Sequence, residues 1–274
     1  MGWHRVPSER GIAIVAALWA AAMLAIVTLS VSQIVRANAG MAHGRAQVAA
    51  LDGVADAAVN ITILSMLGPR PSQPRLDGTV FAVPFEGHVA RVSVRDESGL
   101  IDVNLAPPPV LQQLLLDAGL DASAAAAVTE RILDWRGSGA SHTGGESGAG
   151  GHRQRFQSVT ELLNVDGITP ALYRRIAPLL TVYSQKAGIS PAFADLAVLN
   201  VYRPIDQAAE SAWRRLEEER AGLRAPEPGP GVAVGHAFTI TAEVAGADAA
   251  RVVRTATIRL TGRADNPLLV YRWE

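Results

Sequence analysis

The sequence predicts an α+β protein: a long N-terminal helix packed on an antiparallel sheet, with a large α-helical insertion separating the sheet's two strand groups. Three observations carry this. An uncharged apolar run near the N-terminus passes into an amphipathic helical pattern. Short alternating segments occur within residues 80–104 and again within 236–274. The stretch between them keeps helical periodicity and turn signals. The chain thus divides into a short polar leader (1–11), a helix (12–66), strands (80–104), the insertion (105–221), a linker (222–235) and closing strands (236–274).

No residue between Arg10 and Arg36 is charged, and residues 12–27 are apolar without interruption. A bilayer core of about 30 Å needs about 20 mainly apolar helical residues, so residues 12–35 are long enough to span it. Apolarity on every face argues against a soluble core helix. A cleaved secretory signal would have a shorter apolar region ending in a small-residue site, whereas no break follows here before Asn38-Ala39-Gly40. A retained membrane helix is expected. Arg5 and Arg10 on one side and Arg36 and Arg45 on the other do not settle its orientation, but the short N-terminal side favours an outward-facing bulk domain. The leader ends with Arg10-Gly11 before Ile12, a small residue after a cation. That suits a protease acting at the cytoplasmic membrane face; alternatively, Gly11 is the last loop residue before a signal anchor.

Beyond the span, Val48, Leu51, Ala55, Ala58, Val59, Ile63 and Met66 keep helical spacing, while Asp52, Asp56 and Asn60 fall on another face. Gly40, Gly44 and Gly53 are expected to bend or locally melt this helix, and GPRPSQP (68–74) ends it. Strands follow at 80–83 and 88–94, then a turn at Asp96-Glu97-Ser98-Gly99 and a third strand at 100–103. The C-terminal strands lie at 238–244, 252–260 and 268–273. Inside the insertion, one helical hairpin joins 107–117 to 122–135 and a second joins 159–164 to 170–180. Ser158 and Glu161 have capping-box spacing, and Thr169 precedes Pro170 as a helix start should. Helices near 192–199 and over 206–222 complete the insertion.

The chain carries 25 Lys plus Arg against 26 Asp plus Glu, a net charge of −1, which lacks the basic excess usual for nucleic-acid proteins. It has no cysteine, so a disulfide framework, a cysteine zinc site and a thiol nucleophile are excluded. No G-x-S-x-G serine and no phosphate loop ending in Lys-Ser/Thr is present. His142, Glu146 and His152 match no helical zinc spacing and sit in glycine-rich sequence. Asp121 reads as a helix cap. The residues point to no enzyme and to no catalytic or cofactor-binding site.

RGIAIVAALWA (10–20), SGLIDVNLAPP (98–108), DWR (134–136), FQSVTELLNVDGITPALYRRIAPLLTVYS (156–184) and the terminal strand ending at Trp273 together resemble the minor pseudopilin K family of type II secretion. The resemblance implies a pilin-like fold whose insertion consists of helix-hairpin-helix or SAM-like units. It implies that prepilin peptidase cuts between Gly11 and Ile12 and that Ile12 is N-methylated. Most pilins carry Glu at the fifth residue after that cut, where it neutralises a neighbour's N-terminal amine. Here the position is Ala16. A carboxylate in lipid is kept only when paired, and a subunit with nothing above it has no amine to pair. Ala16 therefore fits the pseudopilus tip. The implied partners are the minor pseudopilins I, J and H, the major pseudopilin and prepilin peptidase. The implied setting is the inner membrane, crossed once, with the N-terminus cytoplasmic and the bulk periplasmic.

The same family can hold calcium in an acidic loop of the insertion. The corresponding residues 137–151 retain only Glu146, with Asp134 upstream. Two carboxylates are thin for a cation that takes six to eight oxygens, so no cofactor is expected and calcium is the weaker alternative. Two rival functions remain. The hairpins resemble DNA-binding helix-hairpin-helix units, with VDGIT as a phosphate-holding turn, but Asp117 opens the first turn and Arg174-Arg175 is the only close basic pair at the second. No nucleic-acid partner is expected. A minor pilin of a type IV pilus or competence system would share the leader and helix, and only the insertion argues against it.

Overall fold

Helix α1 (Arg10–Leu67) runs continuously through Gly40, Gly44 and Gly53. The expected melting does not occur: each glycine costs about 1 kcal/mol relative to alanine, and alanine-rich neighbours absorb that. The computed structural model describes residues 10–137, 155–223, 230–246 and 250–274; in α1, side chains are described over 14–29 and from 44 onward. At 1.5 Å per residue, the 58 residues of α1 extend about 87 Å.

Its two ends behave differently. Every side chain over residues 14–29 is exposed, Leu24 at 69% and Trp19 at 66%. Thr28 donates its hydroxyl to the Leu24 and Ala25 carbonyls at 2.9 Å, so its polar group is satisfied within the helix. The stretch Gly44–Leu67 is also long and apolar enough to cross a membrane. It nevertheless buries Leu51, Val54, Ala55, Ala58, Val59, Ile63 and Met66 against the sheet. Val48, expected on the same face, is exposed because it lies one turn before the buried stripe begins. After Leu67 the chain turns at Pro69. The Gln73 amide donates to the Met66 and Gly68 carbonyls at 3.2 and 3.1 Å, closing the helix end.

Strands β1 (Asp77–Phe85) and β2 (His88–Asp96) form a hairpin whose turn residues Glu86 and Gly87 both have positive φ, +46° and +79°. That is the backbone of a two-residue turn matched to strand twist. A short turn at Glu97–Gly99 then carries the chain away from the sheet. The expected third strand shrinks to β3 (Ile101–Asp102), which pairs in parallel with β4 (Leu180–Thr181) instead of joining the hairpin. The chain rejoins the sheet as β5 (Ala237–Ala245), β6 (Arg251–Leu260) and β7 (Leu268–Trp273), giving an antiparallel order β1-β2-β5-β6-β7. Since β2 and β5 are neighbours, with Asp96 opposite Phe238, residues 97–236 are spliced between two adjacent strands without disturbing their register.

The spliced segment has its own core. Helices α2 (Pro108–Asp117) and α3 (Ala122–Trp135) form the first hairpin, with Asp121 accepting from the Ala124 amide at 2.8 Å as the cap of α3. In the second hairpin residues 159–164 are a 3-10 turn. Ser158 accepts from Thr160, and Glu161 reaches the Gln157 amide, one residue short of a reciprocal capping box. Residues 170–180 are not one helix. Helix α4 (Pro170–Ile176), capped by Thr169, gives way to a turn containing Pro178 and then to β4. Helix α5 (Leu196–Tyr202) starts later than its periodicity suggests because Asp195 caps it through the Val198 amide, and α6 (Gln207–Arg220) follows from Asp206.

The two hairpin turns brace one another. Gly119 and Gly167 take φ of +98° and +91°. Arg175 donates to the Ala118 carbonyl at 2.9 Å, and Arg131 donates to the Asp166 carbonyl at 3.2 Å, so each hairpin supplies an arginine to the other's turn.

Candidate functional site: the membrane helix and the junction of insertion and sheet

Gly11 and Ile12 lie in the first turns of α1, and Ala16 is exposed on its apolar end. Asp134 is exposed in the last turn of α3, while Glu146, His142 and His152 lie outside the described residues. Among the described residues no three His, Asp or Glu side chains are placed to hold a metal ion.

The helix is fixed to the body by a contact that sequence periodicity did not reveal. Arg254, on the inner face of β6, reaches Asp56 at 2.7 Å and Asp52 at 3.2 Å, and the Trp273 indole of β7 donates to Asp56 at 3.0 Å. The acidic face of α1 therefore meets the C-terminal strands. Nothing local in the sequence links residues so far apart.

The motif residues of the insertion converge on one place, the junction where the chain leaves β2. Asp102 is buried and accepts hydrogen bonds from the Asn104 amide (2.9 Å), the Gln185 amide (2.9 Å) and the Ser184 hydroxyl (3.1 Å). Asn104 in turn grips Phe156 through both its polar atoms, donating to the carbonyl at 2.9 Å and accepting from the amide at 2.8 Å. Arg136 donates to the carbonyls of Val103 and Ala106, both at 2.9 Å, and Trp135 stacks on Phe156 with ring centroids 5.7 Å apart. GLIDVN, DWR, the start of FQSVTELL and the end of LTVYS are thus the parts of one knot. Its role is to tie three distant stretches of backbone together.

A second layer joins this knot to the sheet. Gly99 lies against the backbone of Phe193, whose ring inserts into the sheet core although it belongs to the insertion. Arg259 of β6 donates to the Tyr183 and Gly235 carbonyls, both at 2.6 Å, and Tyr183 packs on Tyr271. Glu97 is buried and accepts from the Thr181 hydroxyl. Burial raises its carboxyl above the usual range, against the opposing hydrogen bonds from Thr181 and Thr239.

The Glu97 shift has a direct sign. The folded state holds this proton more tightly than the unfolded chain, so Glu97 favours folding in acid. That contribution is lost as pH rises from the ordinary glutamate range through the raised folded value. Glu97→Gln, which keeps the shape without the charge, should gain stability relative to the native chain between pH 4 and pH 7. Urea melts at the two pH values check this, and a gain in the opposite direction contradicts it.

Residues 92–185 match the family model for protein K of the type II secretion system. Over that span the chain is similar to protein K of type II secretion. The matched span starts in β2 and ends beside Ser184, so it encloses the whole knot. A chain of the crystal structure of the GspK–GspI–GspJ complex from the enterotoxigenic Escherichia coli type 2 secretion system is similar in fold. The TM-score is 0.50 at 14% identity, over 82% of this chain and 93% of that one. No curated protein matches the sequence. The resemblance to the minor pseudopilin K family is borne out, as is the α+β fold with its antiparallel sheet and several helices. Family match and fold together support a minor pseudopilin, a structural component of protein transport, and the exposed apolar end of α1 fits a membrane anchor.

Proposed function

We propose that this K-type pseudopilin stands at the tip of a periplasmic pseudopilus, where it initiates assembly for the export of folded proteins across the outer membrane. The observation that carries this reading is the two-part helix. Its fully exposed apolar end over residues 14–29 continues without a break into a half clamped to the sheet. Such a helix can pass from lipid into a filament core while its body rides above. Ala16 offers no carboxylate to a neighbour's amine, as suits a subunit with none above it. Cleavage between Gly11 and Ile12, methylation of Ile12 and a periplasmic bulk domain belong to the same reading.

The partners are minor pseudopilins of the I, J and H types and the major pseudopilin, with prepilin peptidase as the processing enzyme. The complex of the similar chain, which contains GspI and GspJ, supports the first two of these. The function is mechanical, with no catalytic step and no cofactor. Calcium at Asp134 and Glu146 stays the weaker alternative. The DNA-binding reading is disfavoured because Arg131 and Arg175, two cations close to the hairpin turns, are engaged with turn carbonyls. The test is co-purification of the full chain from membranes with candidate minor pseudopilins. Recovery of a stoichiometric complex is expected, and recovery of the chain alone beside well-expressed partners contradicts the proposal.

A further inference from the structure

One polar group at the junction is built differently from the knot. Asp96, at the end of β2, has a fully buried side chain. One of its oxygens accepts from the Ser98 amide at 2.8 Å, and the other lies 2.7 Å from Nδ1 of His236, just before β5. The imidazole neighbours the rings of Phe193 and Phe238, with centroids at 6.0 and 6.3 Å. Its Nε2 is 3.0 Å from Nζ of Lys186, on the exposed segment that leaves β4.

These three side chains fix the proton positions. An ammonium group has three donors and no lone pair, so Lys186 can only donate, and Nε2 must accept. His236 is then neutral, with its proton on Nδ1 and directed at Asp96. The order is carboxylate, neutral imidazole, ammonium. Protonating Nε2 removes the one acceptor that faces Lys186 among the described residues and sets two cations 3.0 Å apart. Asp96 stays pinned by Ser98 and holds the imidazolium, so the exposed lysine is the group that leaves.

We propose that Asp96, His236 and Lys186 form a proton-operated latch that holds the Lys186 side chain against the sheet when the imidazole is neutral and releases that side chain in acid. The other charged groups nearby do not replace Lys186. Arg259 is engaged with the Gly235 and Tyr183 carbonyls, and Arg95 with Asp195 at 2.6 Å and with the Pro178 carbonyl. Glu97 is turned to Thr181. Tyr202 donates to the Ala187 carbonyl at 3.5 Å. Burial pushes its hydroxyl up to about 12, so it remains a donor throughout the range in which histidine titrates. The latch is independent of the tip assignment, since it needs only the contacts within this chain.

Binding linkage makes the latch measurable from either end: the factor by which Lys186 weakens proton binding at His236 equals the factor by which the proton weakens the Lys186 contact. The full chain in detergent micelles, with labelled histidine and lysine, supplies both signals by NMR, and Lys186 is the only lysine in the sequence. Lys186→Met is expected to tighten proton binding at His236 roughly three- to tenfold, a rise of about half to one pH unit in its midpoint. The Lys186 ε-carbon shift should follow the His236 titration in the native chain. In His236→Asn, which keeps a donor towards Asp96 without titrating, that response should disappear. A His236 midpoint unchanged in Lys186→Met overturns the latch. So does a Lys186 response that persists in His236→Asn.

Discussion

Replacing Asp102 by alanine is expected to cost about 3–5 kcal/mol and to loosen the helical insertion before the sheet. The carboxylate is buried and receives two backbone amides and one hydroxyl from residues 104, 184 and 185. Hydrogen bonds to a charged acceptor are worth about 1.5–3 kcal/mol each, and removing the acceptor leaves buried donors unpaired. The three terms overlap, so the estimate stays below their sum. Asp102→Asn keeps one carbonyl oxygen and should cost roughly 1–2 kcal/mol. Urea unfolding of the full chain, read through tryptophan emission, follows the loss because Trp135 stacks on Phe156 within the same knot. An alanine variant as stable as the native chain would show that the knot does not hold the insertion.

The second large effect is expected at Gly99. A Cβ built there would lie 2.4 Å from the Phe193 carbonyl oxygen and 2.9 Å from the Ala194 amide nitrogen. Both are backbone atoms, so no side-chain rotation relieves the clash, and the Phe193 ring would be drawn from the sheet core. Gly99→Ala should cost about 3 kcal/mol, at the upper end of ordinary overpacking. Gly44 is the natural comparison, since a Cβ there meets nothing within 4 Å. Gly44→Ala should stabilise α1 by up to about 1 kcal/mol through helix propensity alone. Thermal melts of the two variants should therefore move in opposite directions, and equal shifts would contradict the backbone contact at Gly99.

The parts of the structure legible in the sequence are those made by neighbours along the chain. The helical spacing from Leu51 to Met66 identified the buried face of α1. Alternation identified β2, β5, β6 and β7, and the paired helical segments at 107–135 and 159–180 identified the hairpins, whose turns place Gly119 and Gly167 at positive φ. What stayed hidden is made by distant residues. The β3–β4 ladder has two residues per strand, too short for any period, and pairs Ile101 with Leu180. Asp96 and Glu97 read only as turn residues, and acidic turn residues are usually exposed. They are buried because the insertion returns over them, which no local pattern records. The same holds for Arg254, whose position on the inner face of β6 breaks the apolar alternation and was the one available signal for a clamp onto the acidic face of α1. The family motifs were recognisable as strings, but their purpose emerges only when Asp102, Asn104, Arg136 and Phe156 are seen to share one knot.

The pseudopilin reading depends most directly on the fate of the first residues of the chain. Intact-mass measurement of the protein recovered from membranes that contain prepilin peptidase tests it in one step. A mature chain beginning at Ile12 and carrying one added methyl group is the predicted result. A chain that keeps Met1, or one cut near Ala39 so that the apolar helix is lost, would contradict it.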